Sequence, residues 1–218
     1  MRLSLIGMSG SGKSTWSKKL FQLGFRHFCC DDLITKKLAP ELTRPDGNIM
    51  ELGEWMGFPY ELQYKERESK YLAYEIEVLT EILGHVESGE NHAEENIVVD
   101  TTGSVIYSGE EILRRLRRGT IVVHLSTPRE VQELMLKAYL ANKRPVLWRD
   151  FFRKEPNETN EAALARCYPR LLFSRERLYK QNSDVTIDYY TLNQNGFGVN
   201  DFFNRVNITK LQSKGERC

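Results

Sequence analysis

The feature that most constrains this chain is the stretch GMSGSGKS at residues 7–14, which directly follows the apolar run RLSLI. Its glycines, Lys13 and Ser14 complete the pattern G-x-x-x-x-G-K-S, in which successive backbone N–H groups point at phosphate oxygens. A strand before the loop and a helix beginning at Lys13 are the context this pattern requires, and the helix N-terminus adds a positive dipole. The stretch therefore predicts a nucleotide site with Mg²⁺ on the Ser14 hydroxyl, formed by Gly10, Ser11, Gly12, Lys13, Ser14 and Thr15.

The composition is that of one ordinary domain, residues 1–218, in which 31 basic residues nearly balance 30 acidic ones. A net charge of +1 gives no support for a nucleic-acid-binding protein. The chain has no apolar run of about 18 residues, so we expect no membrane-spanning helix. No His stands at metal-ligand spacing from the cysteines, so we expect reduced thiols at Cys29, Cys30, Cys167 and Cys218. These features predict a cytoplasmic monomer or weak dimer that binds a small molecule.

Short apolar runs alternate with amphipathic segments along the chain, which predicts an α/β fold with a parallel sheet of about five strands flanked by helices. The strand candidates are LSLIG, FRHFCC, NIVVD, TIVVHLS and DVTID. Between the second and third lies a Gly- and Pro-rich stretch over 40–59. A long amphipathic helix over 60–89 follows it, with Leu62 counted in its apolar face. A polar, Arg-rich stretch extends to about residue 165, and a helix follows it.

Carboxylates follow two of the predicted strands. Asp100 ends NIVVD, where it can hold Mg²⁺ directly or through water, or alternatively cap the stretch TTGS. Asp31 and Asp32 follow FRHFCC, and one of them is a candidate to accept a proton from a substrate hydroxyl. The same pair is also suited to cap a helix over LITKKLA.

The stretch from residue 143 to 177 is rich in arginine, and guanidinium groups stabilise charge on a phosphoryl group in transfer. We expect two or three of these side chains to be functional and the others to be solvated. The series is Arg144, Arg149, Arg153, Arg166, Arg170, Arg175 and Arg177.

Several short motifs occur in one order: the phosphate loop, CCDD, IMELGE, KERE, DTTGS, KRPV and RERLYKQNSDVTI. Together they resemble the shikimate kinases, a branch of the nucleoside-monophosphate-kinase-like P-loop enzymes, over about residues 1–208. The resemblance implies a P-loop NTPase three-layer sandwich with a substrate-binding insertion over about 33–72 and a lid over about 138–170. It also implies transfer of the ATP γ-phosphoryl group to a hydroxyl of a small carboxylated ring.

The resemblance also implies roles for individual residues. Asp32, or Asp31 after a shift of one residue, falls on the carboxylate that contacts the substrate hydroxyl. The other carboxylate of the family's pair falls on Cys30, so the metal role passes to Ser14 and Asp100. On the substrate side, Thr101, Thr102 and Gly103 match the family's substrate-binding glycine loop, Lys65 with Arg67 matches the carboxylate-gripping arginine, and Arg175 matches a substrate-binding arginine. On the ATP side, Arg144 matches the lid arginine and Lys137 matches the adenine-stacking arginine.

The ATP half of the resemblance is well kept, whereas the acceptor half departs at Cys30, at Lys65 and at the two threonines. Three hypotheses follow. The first is an ATP- and Mg²⁺-dependent kinase of a small hydroxylated metabolite, with shikimate as the default acceptor and Lys13, Asp32 or Asp31, and Arg144 as catalytic residues. The second is a nucleoside or nucleotide kinase with a base pocket formed by Trp55, Phe58, Tyr60 and Tyr64. The third is a nucleotide-binding module without catalysis.

Overall fold

Five parallel strands form the centre of the molecule in a computed structural model that describes residues 1–88, 95–142 and 144–215. Their order across the sheet is β2-β3-β1-β4-β5, so the strand before the phosphate loop is central. The strands are β1 (Arg2–Ile6), β2 (Arg26–Cys29), β3 (Ile97–Asp100), β4 (Ile121–Ser126) and β5 (Val185–Asp188). The predicted α/β fold with five parallel strands is confirmed.

Helices cover both faces of this sheet. The helices are α1 (Lys13–Gln22), α2 (Cys30–Leu42), α3 (Leu52–Met56), α4 (Tyr64–Glu87), α5 (Glu110–Gly119), α6 (Arg129–Ala141), α7 (Asn160–Gln181), α8 (Tyr189–Leu192) and α9 (Val199–Gly215). Within the described ranges, no helix is both long enough and apolar enough to cross a membrane. Lys143, the first residue of KRPV, and Cys218 lie outside those ranges.

Two apolar layers lie on opposite faces of the sheet, because successive strand side chains point to opposite sides. Val98 packs in the layer with Trp16 of α1 and Phe202 of α9. Its neighbours Ile97 and Val99 pack in the other layer, against α2, α4, α5 and α7. Burial on both faces explains why the central strands are continuous apolar runs.

Three boundaries differ from the sequence prediction. Strand β2 ends at Cys29 and α2 begins at Cys30, so Asp31 and Asp32 lie in the first turn of a helix, where the helix dipole favours negative charge. Helix α4 begins only at Tyr64, and Leu62 before it is 98% exposed, so counting Leu62 in the apolar face was wrong. Helix α7 begins at Asn160 because the Thr159 side chain accepts a hydrogen bond from the backbone N–H of Ala162.

Candidate active site

The phosphate loop takes its shape from glycines in conformations that other residues rarely adopt. Gly7 has a φ of +144°, and a Cβ there would lie 2.6 Å from the carbonyl oxygen of Leu125 in β4. Gly12 has a φ of +97° and is the N-cap of α1. The loop therefore requires glycine at both positions, and it presents the free N–H groups of the α1 N-terminus to the space above the sheet.

Lys13 lies folded into this loop, with 6% of its surface exposed. Its Nζ donates hydrogen bonds of 3.0 Å to the carbonyl oxygens of both Gly7 and Met8. Burial lowers the pKa of Lys13, and the nearby carboxylates of Asp100 and Asp31 act in the opposite direction. The loop thus places a charged amine between the phosphate-binding backbone and two carboxylates.

Asp100, at the end of β3, is buried next to β1 and accepts a hydrogen bond of 3.1 Å from the Ser17 hydroxyl of α1. Ser14 is exposed three residues earlier on the same helix. Their oxygen donors are of the kind that Mg²⁺ prefers, and Mg²⁺ commonly keeps several waters and phosphate oxygens as further ligands. Within the described part of the chain, no group of three or more His, Cys, Asp or Glu side chains is placed to hold a metal.

A cavity of about 860 Å³ opens at the carboxyl edge of the sheet, above the phosphate loop. Ten of the residues predicted for the site line it: Gly10, Gly12, Lys13, Ser14, Thr15, Asp31, Thr102, Gly103, Arg144 and Arg175. The predicted residues outside its lining are Ser11, Asp32, Lys65, Arg67, Asp100, Thr101 and Lys137. Parallel strands bring segments far apart in sequence to one edge, where ligands of such sheets bind.

The two adjacent aspartates differ in position. Asp31 lines the cavity, and the Tyr71 hydroxyl of α4 donates a hydrogen bond of 3.3 Å to its Oδ1. Asp31 is an exposed residue, yet the protein atoms around its carboxyl group raise its pKa, an effect that the charge of Lys13 partly offsets. Asp32 is likewise exposed, but it does not line the cavity. The geometry therefore brings Asp31, rather than Asp32, to the phosphate loop.

A buried carboxylate that the sequence analysis missed supports the loop after β3. Glu75 of α4 is fully buried and accepts hydrogen bonds from the Thr102 hydroxyl and, at 2.8 Å, from the Ser104 hydroxyl. Burial raises the pKa of Glu75 to about 7, and the two hydroxyls act in the opposite direction. A glutamate four residues after Tyr71 on the buried face of a helix was the sequence signal for this role.

Arg175 of α7 joins the loop after β3 to the lid segment. The side chain is 5% exposed, and its Nη1 and Nη2 donate to the carbonyl oxygens of Gly103 at 3.3 Å and Leu147 at 2.6 Å. A Cβ on Gly103 would lie 3.3 Å from the backbone nitrogen of Ser9 in the phosphate loop. The loop after β3 therefore approaches the phosphate loop closely, and Arg175 connects it to the predicted lid segment.

The predicted lid over about 138–170 includes the end of α6 and the start of α7, and its part directly after Arg144 is attached to α4. The Tyr64 hydroxyl lies 2.7 Å from the carbonyl oxygen of Val146 and accepts a hydrogen bond of 2.8 Å from the backbone N–H of Trp148. Glu68, one turn later, accepts from the backbone N–H of Arg149 at 2.7 Å. Arg144 itself is exposed at the cavity.

Several predicted side chains lie elsewhere. Lys65 is exposed on α4 outside the cavity lining, and Arg67 donates to the carbonyl oxygen of Trp55 at 2.5 Å. Lys137 is exposed on α6, also outside the lining. The four aromatic residues proposed for a base pocket, Trp55, Phe58, Tyr60 and Tyr64, do not line the cavity.

No protein-family model and no curated protein sequence matches the chain. Among solved structures it is similar to the shikimate kinase from Acinetobacter baumannii in complex with shikimate, with 24% identity, a TM-score of 0.54, and coverage of 85% of this chain and 82% of that one. The shikimate kinase from Aquifex aeolicus is 19% identical, with a TM-score of 0.54 over 100% and 98% of the two chains. The dephospho-CoA kinase from Campylobacter jejuni is also 19% identical, with a TM-score of 0.51 over 99% and 98%. The chain therefore has the fold of the nucleoside-monophosphate-kinase-like P-loop kinases.

Proposed function

We propose that the chain is an ATP- and Mg²⁺-dependent kinase that transfers the γ-phosphoryl group to a hydroxyl of a small metabolite. The observation that carries this proposal is one cavity lined by both Lys13 of the phosphate loop and Asp31 of α2. Phosphoryl transfer depends mostly on positioning and on stabilisation of charge, so a shared space for both groups is the essential requirement.

In this proposal each group has a separate task. The backbone N–H groups of the loop and the amine of Lys13 bind the phosphates, and Arg144 adds positive charge from the lid. Asp31 orients the acceptor hydroxyl and takes its proton, for which a raised pKa is suited. Ser14 and Asp100 would hold Mg²⁺, directly or through water, and the ion would neutralise charge on the phosphate oxygens.

Shikimate is the reference acceptor, because the motifs resemble the shikimate kinases and one similar structure is a complex with shikimate. A nucleoside kinase is less well supported, because the aromatic residues that would form its base pocket lie outside the cavity. The retention of a carboxylate beside Lys13 argues for catalysis rather than nucleotide binding alone.

The free thiols of Cys29, Cys30 and Cys167 support a cytoplasmic location, which we include in the proposal.

The test is acceptor-dependent ADP release, measured in a coupled assay with Mg²⁺ and ATP over a panel of hydroxylated metabolites. We expect Lys13→Ala to lower turnover at least about 100-fold, because it removes the charge that stabilises the phosphoryl oxygens in transfer. Lys18→Ala is the matched control, since Lys18 is exposed on the same helix and outside the cavity lining. Equal turnover in both variants would contradict the proposal, and ATP binding without turnover of any acceptor would favour the module without catalysis.

A further inference from the structure

One wall of the cavity is formed by polar side chains from α2, the residue before α3, α4 and the loop after β3. We call it the acceptor wall and define it as Asp31, Glu51, Tyr71, Thr102 and Ser104. Its ionisable groups are two carboxylates and a tyrosine hydroxyl, and the carboxylate of Glu75 lies directly behind its two hydroxyls. The acceptor wall therefore carries negative charge.

Glu75 also determines which way the wall hydroxyls point. Thr102 and Ser104 each donate to one of its carboxylate oxygens, and Thr102 Oγ1 further accepts from the backbone N–H of Ser104 at 3.1 Å. A hydroxyl has one proton, so a hydroxyl that donates to an ionised Glu75 can offer the cavity only lone pairs. The ligand groups that contact the wall must then be hydrogen-bond donors.

The cations that line the cavity in the described ranges are Lys13, Arg144 and Arg175. Lys13 is held in the phosphate loop, and Arg144 is on the lid. Both terminal nitrogens of Arg175 donate to backbone carbonyl oxygens, and its Nε is buried away from the cavity, with no hydrogen-bond partner among the described residues. The position expected to grip a substrate carboxylate, Lys65, lies on the exposed surface of α4. A carboxylate at the acceptor wall would therefore meet like charge and lone pairs, which disfavours its binding.

We propose that the acceptor of this kinase is a neutral or cationic polyhydroxylated compound rather than a carboxylate, and that Glu75 is the positioning residue that sets this preference through Thr102 and Ser104. The inference rests on the proposed kinase function and specifies its substrate class. Polyols and amino alcohols have the donor groups that such a wall accepts.

The test compares acceptors that share their hydroxyls and differ in charge: shikimate against its methyl ester, and gluconate against gluconamide, with amino alcohols as the cationic members. ADP release is measured at about pH 8, where Glu75, with a pKa of about 7, is ionised. We expect kcat/KM for the neutral member of a pair to exceed that for the carboxylate at least about tenfold, because each lost or opposed hydrogen bond to charge costs roughly that factor.

Preference for the carboxylate member, or equal use of both, would overturn the inference and leave the kinase standing. The inference would also be overturned if no neutral or cationic acceptor were turned over while ATP hydrolysis still required Lys13. Loss of all Lys13-dependent ADP release would instead overturn the proposed function.

A second measurement tests Glu75 itself. Glu75→Gln replaces one acceptor oxygen by an NH₂ donor, so one wall hydroxyl must accept from it and is free to turn its proton to the cavity. We expect KM for a neutral acceptor to rise about tenfold, kcat to stay within about twofold, and the preference over the paired carboxylate to shrink. Glu77→Gln is the control, since Glu77 is exposed on the same helix and pairs with Lys37.

A merely structural role of Glu75 would lower stability without changing the ratio of kcat/KM between paired acceptors, and that result would overturn the assignment. If Glu75→Gln does not fold, Ser104→Ala removes one of the two hydroxyls from the wall with a smaller change, and the same ratio is measured.

Discussion

Asp31 and Asp32 occupy successive positions in the first turn of α2, so their side chains point about 100° apart around the helix axis. Asp31 accepts from Tyr71 in the cavity, whereas Asp32 lies outside its lining. We expect Asp31→Asn to lower kcat at least about 100-fold through loss of the proton acceptor. Asp32→Asn, the matched control, should keep kcat within about threefold, since it removes no group from the cavity. A larger loss of acceptor-dependent ADP release in Asp32→Asn than in Asp31→Asn would contradict this assignment.

The choice between these two carboxylates could not be made from the sequence. The resemblance aligned without gaps favoured Asp32, and a shift of one residue favoured Asp31. The decisive fact is the position at which β2 ends and α2 begins, and a boundary of one residue is not encoded in a local pattern. Lys13 differs, because the loop spacing and the strand before it determine its position.

Glu75 gives a pH dependence to stability as well as to binding. Burial raises the pKa of Glu75 from 4.5 to about 7, so at intermediate pH the folded chain holds a proton that the unfolded chain has lost. Stability from this group therefore falls as pH rises from about 4.5 to about 7, by about 3 kcal/mol. Glu75→Gln does not titrate, so its free energy of unfolding relative to wild type should increase by about that amount over this range. Urea unfolding at several pH values measures the difference, and parallel curves for the two proteins would contradict the prediction.

At the scale of elements, α4 connects the segment predicted to be a lid to the rest of the molecule. Its first two turns carry Tyr64 and Glu68, which bond the backbone of Val146, Trp148 and Arg149. The periodicity of the sequence predicted α4 and its buried face, since Tyr71, Leu79 and Leu83 are buried as expected. It did not predict the tie to the lid, because a hydrogen bond between segments about 80 residues apart leaves no trace in either segment.

Tyr64→Phe tests this tie. The variant removes a hydroxyl that lies 2.7 Å from both Glu68 Oε1 and the carbonyl oxygen of Val146 and that accepts from the N–H of Trp148. We therefore expect a loss of about 1–3 kcal/mol of stability. The lid base then loosens, and KM for ATP should rise several-fold because Arg144 is only two residues from Val146. Tyr74→Phe is the control, since Tyr74 is half-buried on the same helix and is not part of this tie. Equal effects of the two variants on stability and on KM would show that the tie does not hold the lid.

At the scale of the whole molecule, the cavity is assembled from the segments that follow β1, β2, β3 and β4 at the carboxyl edge of the sheet. The phosphate loop follows β1, α2 follows β2, the Thr102–Ser104 loop follows β3, and the segment between α6 and α7 follows β4. Alternation of strands and helices predicted this arrangement in outline. The strand order, which places β3 between β1 and β2, was not predicted, because pairing of parallel strands depends on long connections rather than on local sequence.

A cavity built from so many elements couples ligand binding to global unfolding. A ligand that binds only the folded chain adds about 2.7 kcal/mol at 100 times its dissociation constant, which corresponds to a rise in Tm of roughly 5–10 °C for a chain of this size. We expect a non-hydrolysable ATP analogue with Mg²⁺ to produce such a shift in wild type and a much smaller one in Lys13→Ala, because Lys13 supplies charge to the phosphates. Thermal unfolding with and without the analogue measures both shifts, with Lys18→Ala as the control. The measurement does not depend on turnover, so equal shifts in Lys13→Ala and wild type would contradict the nucleotide site itself, whatever the acceptor is.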